Sequence, residues 1–404
     1  LSYRSNPHCG GQGVYIKNLA RALKDQGHHV EVVAGPPELN LDHGIPVHRL
    51  YGLNLYNPAD PFRLPSLKEL SDPINFVEWA GVSTMGFPEP FTFGIRARNF
   101  LKTRCRRYDI VHDNQSLSYG LWSIARNIPT VATIHHPITV DRDIDIRAVK
   151  PFWKKAKHLR WYSFIGMQKR VARRLCRIIT VSGCAAKDIR REFKIPGDRF
   201  RIVPNGIDTD LFYPIPEVHR EENRIITTNS ADIPLKGLFY LLHAVEKISQ
   251  KRPIRLIVVG TPKENGGIVR LIGKLGIGHL IHFCGRIDNA EFVRQYARAA
   301  LAVVPSVYEG FGLPVGEAMA CGVPVISTTG GALPEVVGNA GVLVPPADAN
   351  ALARAIVDIL DHPQRARALG QAGYQRVLTQ FTWRRAAEKT VAVYREVMGD
   401  YGRF

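Results

Sequence analysis

The sequence lacks an apolar run long enough to cross a bilayer, and it lacks any low-complexity tract. The first excludes a spanning helix, the second a disordered scaffold. Cysteines are few and scattered: Cys9, Cys105, Cys176, Cys184, Cys284 and Cys321 form no CxxC pair and have no histidine at ligand spacing. That scatter excludes a disulfide framework and a zinc ribbon, and leads to an expectation of reduced thiols in a cytoplasmic protein. No leader-like pattern opens the chain. It begins Leu1-Ser-Tyr-Arg-Ser-Asn-Pro7, too short a stretch before the glycines at 10, 11 and 13 for a full strand, so a first buried strand is expected to be incomplete. Acidic residues are scarce as well. There are 36 Asp and Glu against 54 Lys and Arg, a net charge of +18, and none lies between Asp145 and Asp188. Such an excess calls for an anionic partner: nucleic acid, membrane or small molecule. No nucleic-acid-binding motif accompanies the charge, which argues against the first.

What is present is an alternation of short Val/Ile-rich runs with longer amphipathic stretches, the pattern of repeated βα units on parallel sheets. Strand-like runs fall at 29–34, 45–51, 110–112, 130–135, 177–181 and 201–204, then at 224–228, 254–260, 281–285, 301–305, 323–327 and 342–345. Helical patterns lie between them, at 11–26, 238–250, 291–300 and 349–360. At 404 residues the chain exceeds one ordinary core. The expectation is α/β, with two Rossmann-like doubly wound domains, 1–205 and 206–382. A last helix within 383–404 sets Ala387, Val391, Tyr394 and Val397 on one face and is expected to pack back toward the first domain. Such sheets bind ligands at the carboxyl ends of their strands, so the site is expected in a cleft between the domains.

The richest segment is 301–321. An apolar strand ends at Pro305, a loop carries Glu309, Gly310 and Gly312, and Pro314 opens a helix containing Glu317. Glycines beside a helix N-terminus let backbone N–H groups approach an anion, and the helix dipole favours a diphosphate there. Two carboxylates fit such a place if they accept hydrogen bonds from sugar hydroxyls. Spacing alone serves equally well for an ordinary strand–turn–helix with solvated carboxylates.

The run Pro305-Ser-Val-Tyr-Glu-Gly-Phe-Gly-Leu-Pro-Val-Gly-Glu-Ala-Met-Ala-Cys-Gly-Val-Pro-Val325 closely resembles the E-x7-E region of family 4 retaining glycosyltransferases of the GT-B fold. Other segments share the resemblance in the family's order: Gly10-Gly-Gln-Gly-Val14, Thr133-Ile-His-His136, Val203-Pro-Asn-Gly-Ile-Asp208, Lys236-Gly237 and Gly330-Gly-Ala-Leu-Pro-Glu335. The resemblance implies a nucleotide-sugar donor with Glu317 on the ribose hydroxyls and Glu309 on the transferred sugar. It implies backbone amides around Phe311, Gly312 and Leu313 at the sugar and diphosphate, and Lys236 neutralising the departing diphosphate. Gly11, Gln12 and Gly13 would close over the phosphates, and His135 would contact the sugar. His136 stands where many relatives have Asp. No dedicated nucleophile stands out, so same-face departure and attack is the expected mechanism, without metal or cofactor.

One departure bears on the phosphates. Relatives carry an Arg shortly before the KG lysine, and Ser230 stands near that position here. Arg286 is the candidate that compensates or lines the base pocket. The carboxylates of Asp141-Arg-Asp-Ile-Asp145 look like a metal-binding DxD but read better as a solvated acidic loop. Acceptor contacts are expected around Asp113, Asn114, Gln115 and His136, for a glycan or lipid-linked acceptor and a hexose from a UDP-sugar, with GDP-sugar second. The positive charge gathers at 96–107 and 150–177. Placed on a helix, Trp161, Phe164, Ile165, Val171 and Leu175 share a core-facing side opposite Arg170, Arg173, Arg174 and Arg177. A sharper reading is peripheral contact with an anionic membrane, with Trp153, Trp161 and Tyr162 at the interface. Two alternatives keep the fold: a sugar-nucleotide epimerase, and a non-catalytic basic scaffold.

Overall fold

Short runs rich in β-branched residues form twelve strands among the described residues, all pairing in parallel. The computed structural model describes residues 1–4, 11–39, 41, 44–57, 60, 63–149, 151–228 and 232–401. The chain divides into two compact units, Leu1–Pro204 with Ala386–Phe404, and Asn205–Arg385.

In the first unit, β1 (Val32–Ala34) pairs with β2 (Val47–Arg49), and β3 (Val111–Asn114), β4 (Thr130–Ile134), β5 (Ile178–Thr180) and β6 (Phe200–Ile202) form a sheet in that order. Residues 1–3 fill the slot between the two sheets. Ser2 N–H donates to Val33 O at 3.0 Å, while Asn114 N–H donates to Leu1 O at 2.8 Å on the other side. The strand expected to be incomplete thus still bridges β1 to β3. All residues of β4 and β5 are buried, as continuous apolar runs are when both faces of a parallel sheet are covered.

In the second unit the sheet order is β12 (Val342–Val344), β11 (Val325–Thr328), β10 (Ala299–Val304), β7 (Glu221–Thr228), β8 (Arg255–Val259), β9 (Ile281–Phe283). The chain winds outward from β7 in one direction and from β10 in the other. Their boundary is the topological switch point, where a crevice opens outside the carboxyl ends. The helix Leu238–Ser249 covers the sheet with Leu238, Leu241, Leu242, Val245 and Ile248, an i, i+3, i+4 stripe.

Two expectations are corrected. Residues 141–145 are not a loop: they lie inside the helix Thr139–Ala148, where Asp141 Oδ2 meets His136 Nε2 at 2.7 Å and Asp145 Oδ2 accepts from Tyr162 at 2.7 Å. The stretch 150–177 is not one helix but two, Phe152–Trp161 and Ile165–Ala172, joined by a short turn. Trp161 stacks on Phe87 with ring centroids 5.0 Å apart, and Tyr162 is half-buried. Of the three aromatics assigned to a membrane interface only Trp153 stays exposed. The reason is local: the turn rotates Trp161 onto an aromatic cluster with Tyr56 and Phe87. Ile165, Val171 and Leu175 are buried as their spacing implies, and Lys150 lies outside the described residues.

Candidate functional site: two carboxyl-end crevices

At the switch point of the second unit, the loop after β7 and the loop after β10 are held together. Val307 N–H donates to Leu235 O at 2.8 Å, and Lys236 Nζ meets Glu309 Oε1 at 2.7 Å. The same carboxylate oxygen accepts from Ser306 Oγ at 2.8 Å. Glu309 is therefore not a solvated carboxylate; its charge is compensated beside a lysine. Gly237 has φ +69°, and a Cβ there would stand 2.0 Å from Pro305 O, so only glycine lets the two loops approach this closely. A third loop supports Glu309 from behind. Ala332 N–H donates to Glu309 O at 2.9 Å, and a Cβ on Gly331 would fall 2.2 Å from that carbonyl. Thr328 Oγ1 donates to Ser306 O and accepts from Gly330 N–H at 3.1 Å, joining the second and third loops.

The helix Leu313–Ala320 opens over this floor, with Gly312 as its cap residue. The amides of Phe311, Gly312 and Leu313 donate no hydrogen bond among the described residues, so three N–H groups stand free for an anion. The Phe311 ring does not join them; it is buried edge-on against Phe381 at 5.7 Å. Glu317 sits one turn into the helix, partly buried, and burial pushes its carboxyl up to about 7. Arg286 follows β9, is exposed, and makes no ion pair or hydrogen bond among the described residues. Ser230 lies outside the described residues.

In the first unit the corresponding crevice is neutral. His135, just past β4, sets its Nε2 2.8 Å from Asn114 Oδ1 at the end of β3. Asn114 Nδ2 in turn donates to Gln12 O at 3.1 Å, which ties the first turn of helix Gly11–Asp25 to the histidine. Tyr15 packs edge-on against the His135 ring with centroids 4.7 Å apart. Desolvation lowers His135 to about 3, so its imidazole is uncharged at neutral pH. Gln12 is half-buried, Gly11 exposed and Gly13 buried; Gly10 lies outside the described residues.

The profile of Glycosyltransferase Family 4 matches residues 9–211, and that of Glycosyl transferases group 1 matches residues 213–376. The MMP alpha-(1->4)-mannosyltransferase of Mycolicibacterium hassiacum is 44% identical over 403 residues, covering 98% of this chain and 97% of that protein. The chain belongs to glycosyltransferase family 4. A more distant relative, the D-inositol 3-phosphate glycosyltransferase of Corynebacterium diphtheriae, is 28% identical and covers 96% of this chain and 90% of its own. Among solved structures, the sucrose-phosphate synthase of Thermosynechococcus elongatus superposes with a TM-score of 0.73 at 26% identity, covering 98% of this chain and 95% of that one. Its GT-B architecture agrees with the two Rossmann-like units of this glycosyltransferase.

Within each unit the family's motif residues come together: Lys236, Glu309 and the amides of 311–313 in one, Gln12, Asn114 and His135 in the other. Asp113 does not join them. It is fully buried, and its carboxylate accepts from Ser116 Oγ and, at 2.9 Å, from Leu117 N–H, so it holds the turn after β3 rather than facing a ligand. His136 is half-buried against Asp141. Gln115, placed among the acceptor contacts, is instead buried and spans both backbone groups beyond β4: its Oε1 accepts from His135 N–H at 2.8 Å and its Nε2 donates to His136 O at 3.1 Å. Gln115 sits at φ +60°, a left-handed conformation that aims this amide sideways. Sequence reasoning passed over Tyr15 and Ser306. A hydroxyl three residues before Glu309, just past a strand end, was the available signal for Ser306; nothing local marks Tyr15. Among the described residues no group of His, Cys, Asp and Glu is arranged to hold a metal, and no helix is long and apolar enough to cross a membrane.

Proposed function

We propose that this glycosyltransferase moves an α-mannosyl unit, with retention, from a nucleoside-diphosphate mannose to a hydroxyl of a glycan acceptor. The single observation behind the reading is the second-unit crevice: Lys236 2.7 Å from Glu309, beneath three free amides at a helix N-terminus. A diphosphate fits the amides and the ammonium, while Glu309 and Glu317 accept from sugar and ribose hydroxyls. As the C1–O bond breaks, charge grows on the departing diphosphate, and a fixed lysine beside it is worth most in that state. The leaving oxygen takes the acceptor's proton as the acceptor oxygen closes on the same face of C1. Neither step needs a metal or a cofactor beyond these residues. The mannosyl assignment leans on the relative at 44% identity.

In the first unit, Asn114, His135 and the Gln12 backbone offer neutral donors and acceptors, which suit hydroxyls. That favours an uncharged sugar acceptor over a phosphorylated cyclitol. Neither an epimerase nor an inert scaffold is favoured by the relatives.

A thermal-shift panel of UDP-, GDP- and ADP-sugars, followed by proton NMR of the product with and without EDTA, tests the reading. The largest shift is expected from a mannosyl nucleotide, the product is expected to be the α anomer, and the rate is expected to ignore EDTA. A β product, or a rate abolished by EDTA, would overturn the mechanism.

The helix Phe152–Trp161 exposes Phe152, Trp153 and Leu159 among Lys154, Lys155 and Lys157. This carries the second reading, peripheral contact with an anionic membrane. Co-sedimentation with anionic vesicles that fades with salt supports it; binding indifferent to lipid charge and salt rejects it.

A further inference from the structure

A cavity of about 730 Å³ opens in the first unit at the other end of the sheet from Asn114 and His135. It lies where Thr130 begins β4 and where residues 175–177 lead into β5. The five residues of β4 separate the two ends by roughly 16 Å at about 3.3 Å per residue. The cavity therefore does not belong to the transfer crevice.

Arg126, Arg173, Arg174, Arg177 and Arg199 line it, beside Trp122. The carboxylates that share the lining are Asp198 and Asp400, and Arg177 engages Asp400 at 2.8 Å. The other four guanidiniums form no ion pair among the described residues. Arg173 donates to Phe193 O at 2.6 Å and Arg199 to Arg173 O at 2.6 Å, bonds that fix the side chains without cancelling their charge. Arg174 and Arg126 lie over the Trp122 ring, 4.1 and 5.3 Å from its centroid. Five like charges gathered around one concavity repel one another, and a dianion relieves that repulsion. Planar guanidinium forks match the oxygens of phosphate in pairs.

We propose that this cavity is a phosphate-binding site, separate from the donor crevice, for a phosphate monoester carried by a small molecule or by a lipid headgroup. Its ligand is dianionic, with Arg126 and Arg174 presented by the Trp122 face and Arg173 and Arg199 held by backbone carbonyls.

The test uses the full chain carrying Lys236→Met, so that the donor crevice adds no phosphate binding. Inorganic phosphate is titrated calorimetrically at constant ionic strength, and vesicles containing phosphatidic acid are co-sedimented in parallel. Saturable phosphate binding, weakened about tenfold or more by Arg126→Gln with Arg174→Gln, assigns the site to a soluble ligand. Arg126→Lys with Arg174→Lys keeps the charge, loses the fork and is expected to fall between. Vesicle capture lost in the double glutamine variant, without phosphate binding in solution, assigns it to a headgroup. The double variant's melting temperature without anion is expected to match the parent's, since neither arginine ties distant segments together. Binding of neither probe, or equal binding by the double glutamine variant, overturns the proposal.

Discussion

The two units share a strand order yet differ in the chemistry at their carboxyl ends. In the second unit the crevice is built from charge: Lys236 against Glu309, with Glu317 raised to about 7 by burial. In the first it is built from amides, hydroxyls and an imidazole lowered to about 3. The same topology thus supplies a place for a diphosphate in one unit and a place for hydroxyls in the other. Strand order locates each crevice; the side chains at the strand ends decide what it takes.

The comparison breaks most visibly if Glu309 is expendable. Glu309→Ala is expected to lower kcat about a thousandfold while nucleotide binding persists, because it removes a contact to the reacting sugar. His135→Ala should be milder, about a hundredfold in kcat/KM. Because the wild-type imidazole stays neutral down to about 3, the activity profile should show no histidine limb between pH 5 and 8. A limb near 6.5 that vanishes in the variant would contradict the neutral crevice.

Stability against pH sharpens the contrast, since the units should slope in opposite directions. His135 and His112 both fall from 6.5 to about 3 on folding, so the unfolded chain binds more protons between those values. The first unit should therefore lose stability as pH drops from 6.5 toward 3. Glu317 rises from 4.5 to about 7, so the folded chain holds the extra proton there. Its contribution is full below 4.5 and lost as pH climbs through 7. Hydrogen exchange resolved by unit reads both slopes, and Glu317→Gln should flatten only the second. The smallest effect is expected from Gln115→Ala, about a three- to tenfold fall in kcat/KM, through loosening of residues 135 and 136 rather than lost contact. Unchanged backbone exchange at 135–136 in that variant would remove its positioning role.

Much of the fold was legible because buried parallel strands leave continuous apolar runs: each of the twelve expected runs overlaps a strand. The charged half of the site was equally legible, since Lys236-Gly237 and the Glu309–Glu317 spacing are local in sequence. The neutral half was not. Gln115 acts through a left-handed backbone turn, and Asp113 looked like a ligand contact until its burial showed a turn-holding carboxylate. Neither a positive φ nor burial is written in residue type. The acidic run at 141–145 misled for a related reason: charge density resembles a loop, yet Asp141 and Asp145 lie one turn apart in a helix and pair with His136 and Tyr162.

The central claim is that the second-unit crevice divides its labour, with Lys236 serving the diphosphate and Glu309 the sugar. Calorimetric titration of the free nucleoside diphosphate into Lys236→Ala and Glu309→Ala tests it most directly. The account predicts about a hundredfold weaker binding in the lysine variant and near-parental binding in the glutamate variant. Equal losses in both, or parental affinity in Lys236→Ala, would contradict it.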